Sequence, residues 1–271
     1  MFTRRQFSTR VAAAAGLAAT ARLASAQSAS TPSSPSMAAP APAVRNVVLV
    51  HGAYADGSCW SDVIALLQRA GLRATAVQNP LTSLADDVAA TQRILALQDG
   101  PTLLVGHSWA GTVISEAGVD PKVAGLVYVA ARAPDAGEDY GALAAKFPTP
   151  PASAGLVKAG GFAQLSEEAF LRDFAGDVPA EKARVLYALQ GRISETLFAS
   201  RTTVAAWRSK PSWYAVSTQD RTTSPELQRF VAARMKAKTV EIASSHVSLI
   251  SHPGEIAGLV LEATRRVTVA T

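Results

Sequence analysis

Short runs of β-branched and other apolar residues alternate along most of this chain with stretches of helical period. No other feature narrows the possible folds as far. The runs are Asn46–Val50, Ala74–Gln78, Thr102–Val105, Gly125–Val129, Trp213–Ser217 and Thr239–Ala243. Each carries apolar side chains at successive positions, as a strand covered on both faces does. Between them, Trp60–Ala70 places Val63, Ile64, Leu66 and Leu67 on one helical face, and Leu84–Gln98 does the same with Val88, Ile94 and Leu95. Strand, helix and strand in repeated order mean βαβ units, so the fold class is α/β, with a mostly parallel sheet of about six strands and helices on both faces. Ser83 and Asp86 form a capping box, and Asp86 and Asp87 are expected to be caps and surface charges. Ser224-Pro225 opens a helix running to about Lys236, and Pro253 opens a last one running to about Arg266.

The rest of the chain bounds the function by exclusion. Its 271 residues suffice for one α/β domain, and its single cysteine, Cys59, excludes an intrachain disulfide framework. Cys59 reads as a small buried hydrophobe. Four histidines leave little material for a metal centre, and no metal is expected. No apolar run reaches the roughly 18–20 residues that span a bilayer. The formal charge of +5 is concentrated in residues 1–26, which hold Arg4, Arg5, Arg10 and Arg22 and no acid; the remainder has 22 basic and 21 acidic residues. A nearly neutral body gives no electrostatic case for nucleic acid.

Those first 26 residues carry paired arginines followed by Phe7, an alanine-rich stretch from Val11 to Ala21, and Ala24-Ser25-Ala26. The order reads as an export signal of the twin-arginine kind, which predicts a periplasmic or secreted protein. Residues 27–43 are almost wholly Ser, Ala, Pro and Thr and read as a disordered linker; the folded domain is expected over 44–271. One interval interrupts the βα rhythm. From Ala133 to about Lys210 there is no convincing strand, only loop punctuation and short helical patterns, the clearest at Ser166–Phe174 and Pro179–Leu189. Such an insertion between two sheet strands predicts a helical cap over an active site.

The chemistry concentrates at strand ends. Thr102–Val105 runs into Gly106-His107-Ser108-Trp109-Ala110 and then into a helical pattern. A serine on a sharp strand-to-helix turn needs small residues two positions to either side, and Gly106 and Ala110 supply them. The Trp109 amide at the helix start is one candidate oxyanion donor. The second is the amide of Ala53, with Tyr54 as fallback, in the loop His51-Gly52-Ala53-Tyr54 that leaves the first strand. His51 is expected to shape that loop. A serine hydroxyl needs a base, and the base an orienting acid. His246, in the loop after the last strand, is the candidate base, since His107 adjoins the serine and His252 sits at a helix start. Asp220, after Trp213–Ser217, is the favoured acid, with Asp135, after Gly125–Val129, as the rival. The order Ser108, Asp220, His246 is that of Ser…Asp/Glu…His hydrolases.

With these residues in order, the chain resembles an α/β-hydrolase over about residues 45–268. Val48-Leu49-Val50-His51-Gly52, the Gly106-His107-Ser108 turn, Asp220 and His246 carry the likeness. Gln219-Asp220, Ser224–Gln228 and Ser245-His246 narrow it to the branch of plant methylesterases, hydroxynitrile lyases and small bacterial carboxylesterases. That resemblance implies a cofactor-free Ser-His-Asp mechanism under a helical cap. The lyases carry a lysine directly after the base and a threonine after the first strand-end histidine. Val247 and Gly52 stand there instead, which argues for ester hydrolysis. Tyr54, Trp109 and Val247 are candidate substrate contacts. The bulky Trp109 is expected to narrow the acyl side of the pocket, and cap aromatics such as Phe162, Phe170 and Phe198 mostly to pack the lid. The reading is a serine hydrolase of small to medium alkyl or aryl esters. A cofactor-free perhydrolase, or a ligand-binding protein without catalysis, is the alternative.

Overall fold

The computed structural model describes residues 44–267, so the proposed export signal, the whole linker and the last four residues of the expected domain lie outside the described residues. Six parallel strands form the main sheet, side by side in the order β2 (Arg73–Val77), β1 (Asn46–Val50), β3 (Thr102–His107), β4 (Val123–Val129), β8 (Ser212–Ser217) and β9 (Lys238–Ile242). In chain order the first are β1 (Asn46–Val50), β2 (Arg73–Val77), β3 (Thr102–His107) and β4 (Val123–Val129), linked by helices α1 (Ser61–Arg69), α2 (Leu84–Ala96) and α3 (Ala110–Ala117). Every residue of β1 and β3 is buried, which accounts for their unbroken apolar runs. Edge strands β2 and, on the far side, β9 are half exposed and alternate more. Ser83 accepts from the Asp86 amide at the start of α2, so the capping box forms.

The chain leaves β1 toward β2 on one side and returns to β3 on the other. β1 and β3 are therefore neighbours whose onward loops diverge, with Val50 opposite Gly106. In open α/β sheets that divergence opens a crevice at the strands' carboxyl ends, where ligands bind.

The cap follows β4. It holds α4 (Tyr140–Ala144), β5 (Leu156–Ala159), β6 (Phe162–Leu165), α5 (Glu167–Ala169) continued by one π turn at Phe170–Phe174, α6 (Ala180–Leu189) and β7 (Ile193–Ser194). The two predicted helical patterns are present. The expectation of an interval without strands is corrected, because β5, β6 and β7 make a small antiparallel sheet. Gly160 and Gly161 turn β5 into β6 with φ of +60° and +80°, the paired left-handed conformation of a tight hairpin. All four residues of β5 are exposed, so its apolar pattern carries no core signal.

After the cap come β8 (Ser212–Ser217), α7 (Pro225–Arg234), β9 (Lys238–Ile242), α8 (Ser248–Ser251) and α9 (Pro253–Arg266). Ser224 caps α7 by accepting from the Leu227 amide, with Pro225 in the first turn. α1 packs on α9 over one face of the sheet, and α2 on α3 over the other. The core is continuous from the sheet into the cap, where Phe170 and Phe174 are buried with it.

Candidate active site

Ser108 sits where β3 turns into α3, with φ of +54°. A non-glycine residue there is strained by about 1–2 kcal/mol, which the surroundings must offset. They do so through three main-chain bonds. The Ser108 amide donates to the Val129 carbonyl at 3.0 Å, and the Ser108 carbonyl accepts from the Gly111 and Arg132 amides, each at 3.0 Å. The turn is also tightly packed. A Cβ on Gly106 would lie 2.9 Å from the Ala110 carbonyl oxygen, and one on Gly52 would lie 2.7 Å from the Ser108 Cβ. Tyr54 and Ala130 also have positive φ, so residues just past β1, β3 and β4 all hold strained backbone around one crevice.

His246 and Asp220 meet across the adjacent loops. Nδ1 of His246 donates to Oδ2 of Asp220 at 2.6 Å, with both side chains fully buried. The carboxylate has further donors: the Gln228 amide nitrogen on Oδ2 at 2.7 Å, and the Thr222 and Thr223 amides on Oδ1 at 2.7 and 2.9 Å. A buried ionised carboxylate needs such partners. With Nδ1 carrying a proton toward Asp220, the lone pair falls on Nε2, which is buried and makes no hydrogen bond.

Asp135 is elsewhere. Its carboxylate pairs with Arg208, which holds it below the usual carboxylate range.

The remaining histidines do structural work. His51 is buried, donates from Nδ1 to the Gly52 carbonyl at 2.9 Å and accepts at Nε2 from the Asn79 amide at 2.9 Å, so it does shape its loop. Burial holds its pKa below the ordinary value. His107 reaches the His246 main chain, donating from Nε2 to the carbonyl at 3.0 Å. Its pKa is pushed well down, first by burial and then by His246. His252 bonds locally to the Ser251 hydroxyl at 2.9 Å. Burial raises the Cys59 thiol well above its ordinary value, which keeps it an unreactive hydrophobe.

Among the described residues, the amides of Ala53, Tyr54 and Trp109 donate to no carbonyl. An amide at a helix start has no acceptor within the helix, so that of Trp109, with its neighbours from the first strand-end loop, can serve a ligand oxygen. Trp109 is fully buried, and its indole Nε1 donates to Oδ2 of Asp87 at 2.8 Å. Asp87 thereby corrects the expectation of a surface charge. Its side chain is buried beneath Trp109, and Oδ1 accepts from the Leu81 amide at 2.8 Å. Burial raises its pKa, partly opposed by the indole bond. Asp86 does cap the helix.

A cavity of about 340 Å³ opens at Ser108. Tyr54 and Trp109 line it. Val247 does not, and lines instead a second void of about 10 Å³ with His107 and Phe174. Of the cap aromatics singled out in the sequence, Phe198 reaches the cavity, while Phe170 and Phe174 pack under the cap. Among the lining residues that the sequence reading did not single out are Arg132 and Tyr140. Arg132 follows the end of β4 within three residues, and a charge at a buried strand's carboxyl end is the signal that could have found it. Its guanidinium Cζ lies 5.2, 4.4 and 5.4 Å from the ring centroids of Trp109, Tyr140 and Phe198. Burial lowers its pKa to about 10, which leaves it charged at neutral pH.

Comparison with known proteins agrees with this architecture. The model of the alpha/beta hydrolase family matches residues 47–259. A carbendazim-hydrolysing esterase of Nocardioides sp. (strain SG-4G) is 34% identical over 131 residues, 43% of this chain and 53% of that protein; the match thus spans about half the relative's length. Polyneuridine aldehyde esterase superimposes with a TM-score of 0.70 at 20% identity, covering 82% of this chain and 99% of that one. A pyrethroid hydrolase from Sphingobium faniae JZ-2 gives a TM-score of 0.70 at 22% identity over 82% and 98% of the two chains. At such identities these two structures share the fold.

Proposed function

This chain belongs to the alpha/beta hydrolase family, and we propose that it is a serine esterase that cleaves carboxylic esters through an acyl-enzyme. The observation that carries the reading is His246. Its ring is fixed on Asp220 through Nδ1, while Nε2 is buried and unpartnered, and Ser108 stands on a strained strand-to-helix turn of the same sheet. In this reading Ser108 Oγ attacks the ester carbonyl and His246 Nε2 takes its proton. Asp220 holds the tautomer and stabilises the imidazolium. The free amides of Ala53 and Trp109 receive the oxyanion, a contribution of roughly 10²–10³ in kcat per donor. The protonated Nε2 then gives its proton to the departing alkoxide. It next takes one from water, whose oxygen attacks the acyl carbonyl; the bond to Ser108 Oγ breaks, Nε2 returns the proton to Oγ, and the acid leaves.

The cavity volume supports small to medium esters, since about 340 Å³ lies at the lower end for ligand sites. The esterase names of the relatives point the same way. We further propose export, carried by Arg4-Arg5 and Ala24-Ser25-Ala26; a processed N-terminus on periplasmic protein would support it.

The test is hydrolysis of 4-nitrophenyl esters, acetate through octanoate, by wild type and Ser108→Ala. Turnover with a short-chain optimum, lost about 10⁴-fold or more in the variant, is expected. Equal rates from both folded proteins would sink the serine mechanism.

A further inference from the structure

Arg132 is the one residue of the cavity wall whose charge has no counterpart in the mechanism above. Its position is fixed from behind. Tyr214 on β8 donates its hydroxyl to the Ala131 carbonyl at 2.6 Å and accepts from the Ala131 amide at 2.9 Å. The Arg132 amide is held on the Ser108 carbonyl, and α3 presses so closely that a Cβ on Gly111 would lie 1.8 Å from the Arg132 carbonyl oxygen. The residue that carries the guanidinium is therefore located by the same bonds that locate the nucleophile.

The side chain then enters an apolar cavity. Three aromatic rings face the guanidinium and compensate part of its charge. They do not satisfy its donors. Of its five N–H groups, one nitrogen bonds the Phe198 carbonyl, at a long 3.3 Å. Nε is buried without a partner, and no carboxylate among the described residues lies within ion-pair distance of the group. The neighbouring acids are engaged otherwise: Asp139 pairs with Arg201, and Asp135 with Arg208. The Tyr140 hydroxyl, in the same wall, is also buried and unpartnered. A cation with spare planar donors and a spare phenol, in a pocket otherwise apolar, has the form of a carboxylate receptor.

We propose that Arg132 selects the substrate: the cavity takes esters that carry a second, ionised carboxylate, which the guanidinium binds with help from the Tyr140 hydroxyl. This rests on the esterase reading and specifies its substrate class. Half-esters of dicarboxylic acids place the charge on the acyl side, and esters of hydroxy acids place it on the alcohol side. Either fits the chemistry of the wall.

The experiment compares matched pairs. On the acyl side these are mono-4-nitrophenyl succinate and 4-nitrophenyl pentanoate; on the alcohol side, 4-acetoxybenzoate and 4-methylphenyl acetate. For each pair the ratio of kcat/KM, charged over neutral, is measured in wild type, Arg132→Lys and Arg132→Met. Dividing one protein's ratio by another's removes the intrinsic reactivity of the esters. In at least one pair the ratio should fall about 10- to 100-fold in Arg132→Met, with Arg132→Lys between; which pair responds shows where the charge sits. Ratios unchanged in both pairs would overturn the proposal, as would equal loss on charged and neutral esters. Should Arg132→Met not fold, calorimetry on Ser108→Ala decides. Monomethyl succinate should bind at least tenfold more tightly than methyl butyrate, and equal binding sinks the idea. That arm needs no turnover, so a protein that binds the anion yet hydrolyses nothing would refute the esterase reading alone.

Discussion

The carboxyl ends of the sheet strands and the cap enclose the same cavity, yet they are built on opposite principles. Around Ser108 the turn itself is pinned: the serine amide and carbonyl have three partners, and Gly52, Gly106 and Gly111 leave no room for a methyl. The cap is looser. Its strand β5 is exposed along its whole length, and Leu156, Val157 and Phe162 face solvent. Packed cores respond to one methylene, whereas exposed hairpins do not. The lesson is that the reaction is fixed by the body, while the cap closes the cavity with walls that tolerate change.

That contrast can be broken or sharpened by substitution. The largest effect is expected for Asp220→Asn, which places an amide against the proton on His246 Nδ1 and disfavours the working tautomer. A loss of about 10³–10⁴ in kcat is expected with the fold retained, read by ester hydrolysis and circular dichroism. Gly111→Ala should be nearly as severe but through stability, about 3 kcal/mol or more, because backbone at Arg132 must move; urea unfolding reads it.

Asp173 tests the seam between the two regions. This buried carboxylate in the cap's π turn binds Arg172 and, across from the loop after β8, Arg221. Those contacts, Arg172's first, lower its pKa. The ionised form is the one the fold favours, so its contribution is complete above the ordinary value near pH 4 and is lost as pH falls through the lowered one. Asp173→Asn should cost about 1–3 kcal/mol at pH 7. The Tm gap between the two proteins should close below about pH 4, and a gap constant from pH 7 to 3 would refute this. Asp87→Asn, removing the charge on which the Trp109 indole rests, should lower kcat about tenfold while moving KM less, through a shifted oxyanion donor. Phe162→Ser, on the exposed hairpin, marks the small end, within about 0.5 kcal/mol. A larger cost would mean that the cap is as tightly packed as the body.

The same division governs what the sequence could reveal. Strands of the body were legible to within two residues at either end, the central ones because burial on both faces writes an unbroken apolar run. The caps at Ser83 and Ser224 were legible because they are local chemistry. Asp87 was misread for a physical reason: it occupies a helix start, where acids usually face water, and its burial depends on an indole arriving from another element. Arg132 was missed likewise, since the three rings around it come from α3, α4 and the late cap. The hairpin had a local mark, Gly160-Gly161 between short apolar runs, but its strands lack the burial that makes a run conspicuous. Of the site, the order Ser108, Asp220, His246 could be read from strand ends. The placement of Val247 beside His107, away from the cavity, could not, because the side a loop residue faces is set by packing.

One hydrogen bond described above bears on how such a protein can diversify. The carbonyl of Ser108 takes the amides of both Gly111 and Arg132, so the segment leaving β4 is clamped to the proposed nucleophile before the cap begins. Insertions or deletions between Val129 and Arg132 would shift the reactive group itself and be purged. Length changes beyond Pro134 would leave it in place. New specificities are thus free to arise by lengthening, trimming or exchanging the cap, and the reaction is inherited intact through each exchange.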